Sequence, residues 1–280
     1  MSTVARPPVN EVVISVSFDS QPVLEGPRLL VGLREIMAEF PQVTEVQPYE
    51  TATELPFEEQ VLLPTIPQIQ LLASPPTAHR YWFTRENDEA LLLQIQSNYF
   101  ALNWRRREGD KLYPGFDVLL ERFSHYLARL EAAVLEQGGE PLAVSQIELT
   151  YINLLHPDEQ WGSPRDVGKV VSLLVPSVDN LDQLNVSYSE SVTDDSGAFY
   201  GRMHTGVSTG YRPKVQPDQL RPLEIRDMTP IINISFTVRS GRLNETIESV
   251  AYRFSLAHDA ITDTFKSITT DAARNNWGLS

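Results

Sequence analysis

Arg105, Arg106 and Arg107 follow directly on Asn103 and Trp104, and no other stretch of the chain combines residue types so suited to recognition. In an extended segment alternate side chains share a side, so Arg105 and Arg107 would flank a single anion. The Asn103 amide and the Trp104 indole beside them suit a planar or phosphorylated group. The opposing reading is a charged, solvated strand end that keeps other strands from adding to it. His258 is the second candidate. It falls four residues after Phe254 and three before Ile261, on the apolar stripe of the last helix, so its ring should face the core. A buried imidazole needs a partner. It is either a core histidine bonded to a carbonyl or carboxylate, or a general base or ligand contact in a cavity under that helix. Asp259 lies on the wrong side to orient it.

Other chemistry is thinly supplied. GVSTG, Gly206 to Gly210, fits the G-x-S-x-G form of a hydrolase nucleophile turn centred on Ser208, yet Tyr211, Arg212 and Pro213 stand where a helix would have to open. A glycine-rich loop is the better reading. The five histidines, His79, His125, His156, His204 and His258, include no close pair at metal-ligand spacing, and His156 with Asp158 and Glu159 reads as a solvated turn. No phosphate loop, dinucleotide fingerprint or paired-carboxylate spacing occurs. The expectation is no metal, no cofactor and no supported catalytic constellation.

Whatever the site is, a folded core must hold it. The 280 residues are 41% hydrophobic, enough for one large domain or two of moderate size. A formal charge of −14 argues against general affinity for nucleic acid, which needs clustered cations to displace counterions. With no cysteine the chain needs no oxidising compartment, and no run of the sequence has the length of a signal peptide's apolar region or a membrane span. Cytoplasm is the expected setting.

Val12, Ile14, Val16 and Phe18 alternate as a strand with one buried face, and Leu29, Leu33, Ile36, Met37 and Phe40 at helical spacing follow, closed by Pro41. Residues 42 to 65 read as a short strand and an acidic loop. Strands are predicted at 66 to 73 and 80 to 85, the latter with Tyr81 and Phe83 on one face and Trp82 on the other. Asn87-Asp88 turns the chain into a return strand carrying Leu91, Leu93 and Ile95. The alternation then changes phase, which predicts a break at 97 to 98 before Phe100, Leu102 and Trp104. Phe116 to Val134 make the clearest helical stripe, opened by Pro114 and closed by Gly138-Gly139. A strand at VSQIELTYINLL follows, then a turn-rich segment at 156 to 164, a short helix at 164 to 174, and strands near 183 to 192, 198 to 209 and 222 to 239. A last helix should run from about Leu243 to Phe265. Strands in runs with helices apart predict an α+β fold, mainly antiparallel, with long amphipathic helices on one face. Two related lobes, 1–158 and 159–280, are expected, or one continuous domain.

RYWF, LLLQIQSNYFALNWRR, YPGFDVLLERF, QIELTYIN and HDAITDTFKSITTDAARNNWG together resemble a sporadically distributed bacterial protein family of roughly this length, without an assigned activity. The matching positions are Tyr81, Trp82, Phe83, Gln94, Gln96, Asn103, Trp104, Tyr113, Pro114, Glu148, Tyr151, Asn153, His258, Phe265 and Trp277. The resemblance spans most of the chain, is most specific from Arg80 to Asn153, and brings over no catalytic residue. Patchy distribution is typical of mobile or defence-linked genes, so the resemblance implies a role beside a partner gene product. The expected function is a non-enzymatic binding protein that engages a protein partner or associates with itself, in the manner of an antitoxin-like, immunity or phage-defence accessory factor. The acidic charge suits a basic partner. The alternative is a small-molecule or nucleotide binder whose pocket lies between the sheet and the C-terminal helix, with His258 inside and the arginines at its mouth.

Overall fold

The computed structural model describes residues 7–25, 27–50, 52, 54–56, 79–85, 90–107, 112–158, 161–172, 181–214 and 227–279. Among the described residues nine strands form one antiparallel sheet: β1 (Val9–Phe18), β2 (Gln42–Val46), β3 (Arg80–Thr84), β4 (Leu91–Gln96), β5 (Tyr99–Arg105), β6 (Val144–Leu155), β7 (Asn185–Thr193), β8 (Phe199–Pro213) and β9 (Met228–Ser240). Their order across the sheet is β2-β3-β4-β5-β1-β6-β9-β8-β7. With the helices beside it, this is an α+β fold. The sheet runs without interruption across residue 158, because β1 pairs with both β5 and β6 and β6 pairs with β9.

Register aligns the apolar alternations of separate strands. Val12, Ile14 and Val16 stand opposite Trp104, Leu102 and Phe100 on one side and Tyr151, Leu149 and Ile147 on the other. Phe236, Val238, Met203 and Val207 continue that apolar face. Two long helices contribute aromatic contacts to the core. In α3 (Phe116–Glu136), Phe123 meets Phe100 of the sheet, and it also meets Phe254 of α5 (Val250–Ile268); Phe265 of α5 meets Phe236. Phe100, Phe123, Phe236 and Phe254 are all fully buried, each contributing about 1.5–3 kcal/mol by leaving water. The alternate residues of the same strands make the opposite, polar face.

The predicted break at 97 to 98 is the tight turn between β4 and β5. The strand predicted at 66 to 73 and the turn at Asn87-Asp88 fall outside the described residues. Several boundaries differ from expectation. The first helix is two, α1 (Pro27–Gly32) and α2 (Arg34–Glu39), interrupted at Leu33, whose φ of −92° and ψ of 17° leave the helical range. The short helix at 164 to 174 is a 3₁₀ turn at Pro164–Asp166 followed by α4 (Val167–Val170), ending where Val171 bridges to Thr269. The last long helix starts at Val250, not Leu243, because the residues before it pair with the start of β6: the Leu243 N–H donates to the Ser145 carbonyl at 2.8 Å, and Glu245 bridges Val144. GVSTG lies in the middle of β8 in extended conformation, so it is neither a nucleophile elbow nor the loop expected from its glycines. A terminal helix, α6 (Asp271–Asn276), is capped by the Thr270 side chain.

Candidate functional site

Register divides the residues that the sequence grouped. Trp104 pairs with Val12 and Leu91, and Asn103 with Val13 and Leu92, so these neighbours point to opposite faces. Trp104 is buried on the apolar face, its indole 5.4 Å from the Tyr113 ring. Asn103 and Arg105 lie on the polar face. Arg106 sends Nη2 to the Pro7 carbonyl at 3.1 Å, and Arg107 is exposed beyond the end of β5. His258 sits in α5 on the apolar side. The arginines and His258 therefore do not converge on one pocket.

Asn103 and Arg105 do belong to a strip of polar side chains that crosses β3, β4, β5 and β1. Gln94 Oε1 accepts from Arg80 Nη1 and from Trp82 Nε1, each at 3.1 Å. Gln94 Nε2 donates to Asn103 Oδ1 at 2.7 Å, and Asn103 Nδ2 donates to Glu11 Oε1 at 3.0 Å. Arg105 closes the strip with a fork, Nε to one Glu11 oxygen and Nη2 to the other, both at 3.1 Å. Every amide has one workable orientation, because reversing either would set donor against donor. The strip ends on Trp82, which is 36% exposed although its indole N–H is pinned and the Arg80 guanidinium stands 6.0 Å from its ring.

A second polar network lies on the same face toward the other end of the sheet. Tyr49 and Glu54, in the chain after β2, are each tied to this face. The Gln96 amide grips the Tyr49 main chain, accepting from its N–H at 2.9 Å and donating to its carbonyl at 3.1 Å, while the Tyr49 ring packs on Tyr99 at 4.6 Å. Burial first, and the nearby Glu148 carboxylate second, push the Tyr49 hydroxyl pKa up. Farther along, Glu54 inserts among two arginines and a histidine: Arg202 Nε at 3.2 Å, His204 Nε2 at 2.8 Å and Arg239 Nη1 at 2.9 Å. Arg239 also donates from Nε to Glu148 at 2.7 Å. Arg202 and Arg239 are direct cross-strand neighbours, a like-charge pairing that destabilises a sheet unless an anion separates them. Glu54, with its side chain only 8% exposed, is that anion.

The third arrangement is the setting of His258. Its ring lies flat on Phe116 at 4.1 Å, and its Nδ1 is 3.1 Å from the Tyr151 hydroxyl, which is 2.9 Å from the Tyr113 hydroxyl. Burial lowers the imidazole pKa against the opposing pull of Asp259 and Asp117, so the ring is neutral near pH 7. Burial pushes the Tyr113 hydroxyl up to about 12 and raises Tyr151 as well. These hydroxyl and imidazole contacts give three polar groups partners on the apolar side of the sheet, with His258 half-buried. A cleft of about 460 Å³, lined by Arg85, Leu91, Val118, Glu121, His125 and Tyr126 among others, contains none of the sequence-predicted site residues.

Sequence reasoning missed Arg80, Gln94, Glu11, Glu54, Arg202, His204 and Arg239 as site residues. For Gln94 a signal existed: it interrupts the apolar run LLLQIQ at the position facing away from Leu93 and Ile95. Glu54 had none, since its partners lie 148 to 185 residues away. Among the described residues no helix is long and apolar enough to cross a membrane, and no cluster of His, Asp and Glu is arranged to hold a metal ion. Neither a family model, a curated protein nor a solved structure matches the chain.

Proposed function

We propose that the protein is a non-catalytic binding protein that engages a protein partner, with Trp82 as the anchor of the contact. One observation carries this reading: Trp82 is exposed on the polar face yet held by its N–H at the end of a hydrogen-bonded relay. Tryptophan and arginine dominate binding energy at protein interfaces, and a side chain already fixed in its bound orientation loses less entropy on association. Arg80 stands beside the ring, and the acidic charge of the whole chain favours a partner with a basic rim.

The bacterial family resemblance, the cytoplasmic setting and a role as an antitoxin-like, immunity or defence accessory factor belong to the same proposal. They are supported by the fact that Trp82, Gln94 and Asn103 of the relay are among the positions that carry the resemblance. We also read the halves as related lobes whose long helices share the apolar face. If β6 is counted with the second half instead of within 1–158, each half has in order a first strand, a short helical stretch, a run of strands and a long helix, and the first strand pairs with the last, β1 with β5 and β6 with β9.

A photo-crosslinking amino acid at position 82, and a second at exposed Tyr252 on α5, test the reading in the native host. Adducts to one protein species from position 82 and not from 252 are expected. Adducts from 252 alone, or none from either, would overturn it.

A further inference from the structure

The strand at the end of the sheet reads Val186-Ser187-Tyr188-Ser189-Glu190-Ser191-Val192, a sequence symmetric about Ser189 except that Tyr188 mirrors Glu190. Its hydrogen-bonding directions follow from one contact. The Thr209 N–H donates to the Leu184 carbonyl at 2.9 Å, and the register from Asn185↔Ser208 to Val192↔Gly201 has no shift. Antiparallel pairs alternate between bonded and non-bonded, so Val186, Tyr188, Glu190 and Val192 turn their main chains toward β8. Asn185, Ser187, Ser189 and Ser191 turn theirs outward. All four are exposed, and among the described residues no strand pairs with that side. Sheet edges are usually blunted by lysine, proline or a short length. The opposite edge, β2, has five residues; β7 has nine, with neither lysine nor proline.

We propose that β7 pairs with β7 of a second copy of this chain, antiparallel about a two-fold axis at Ser189. The two Ser189 residues then exchange both main-chain bonds, and Ser187 meets Ser191 of the other copy in the same way. Val186 stands opposite Val192, and Glu190 stands opposite the Tyr188 phenol instead of another carboxylate. Sliding the strands by two residues in either direction loses the Val–Val contacts. The interface is isologous, so it closes at a dimer and does not propagate. It occupies the end of the sheet away from Trp82, so the dimer carries two Trp82 surfaces and binds a repeated or dimeric partner with added avidity. The interface does not depend on the Trp82 reading.

The chain's lack of cysteine makes the test direct. In the proposed register the two Ser189 Cα atoms are about 5.5 Å apart, inside the range a disulfide spans. Ser189→Cys should oxidise to a covalent dimer, whereas Ser208→Cys, on the neighbouring β8, should not. By sedimentation velocity the wild-type chain should be a dimer that tightens with added salt, as screening relieves repulsion between two copies of charge −14. Ser189→Pro removes an outward N–H and leaves the bonds to β8, so it should give a folded monomer with an unchanged circular dichroism spectrum. A wild-type monomer at high micromolar concentration, or a dimer that persists in Ser189→Pro and gives no Ser189→Cys crosslink, would overturn the proposal.

Discussion

Two charge networks occupy one face of the same sheet and differ in how they end. Around Glu54, two arginines and a histidine from neighbouring strands close on one carboxylate, and its bonds are made internally. Along the Glu11 strip, a continuous run of bonds terminates on an exposed indole at one end and on Arg105, whose side chain is 48% exposed, at the other. The first network fixes a chain segment to the sheet. The second fixes two side chains in place while leaving them accessible. Similar residue types thus give a clamp where the anion comes from the chain itself and a presented surface where the relay stops at water.

The largest effect should come from breaking the clamp. Glu54→Gln leaves Arg202 and Arg239 opposed without a full counter-charge and should cost about 3–5 kcal/mol in urea unfolding, little changed by salt because the pair is buried. A loss under about 1 kcal/mol would mean that water or Glu148 takes over. The apolar-side chain at His258 provides a contrast, since it responds to pH. Its folded pKa lies below the ordinary 6.5, so between the two values the unfolded chain binds more protons. Stability is fully present above pH 6.5 and falls as pH drops toward the folded pKa; His258→Asn should flatten that part of the profile, and an unchanged slope would assign it to other groups. The smallest effect belongs to the exposed end of the strip. Arg105→Ala should cost no more than about 1 kcal/mol, and high salt should erase most of the difference.

The fold was legible wherever one strand or helix carries its own period. The alternation in β1, the phase change at Ser97-Asn98 and the stripe of α3 are local patterns, and each was placed from neighbours in the chain. The start of α5 lies later than the stripe suggests because Leu243 and Ile247 fit a helical spacing, while the Glu245–Val144 bridge that holds Leu243 and Glu245 beside β6 is a tertiary fact. The same limit governs the site. Asn103 and Arg105 were singled out, but grouping them with Trp104 ignored the pleat, which sends successive side chains to opposite faces. Trp82 was placed opposite Tyr81 and Phe83; that it meets Gln94 requires the β3–β4 register. Arg202 and His204 show the spacing of one sheet face, but nothing local announces Glu54 between them.

The most direct test of the account is quantitative partner capture from the native host by three forms of the full chain: wild type, Trp82→Ala, and Leu135→Ala on exposed α3. All three should fold alike. If Trp82 anchors the contact, its replacement should lower retention of the bound protein by a factor of about thirty or more, the scale of a 2 kcal/mol hot spot, while Leu135→Ala retains it. Equal retention by wild type and Trp82→Ala, or loss with Leu135→Ala alone, would contradict the claim that the polar strip presents the binding surface.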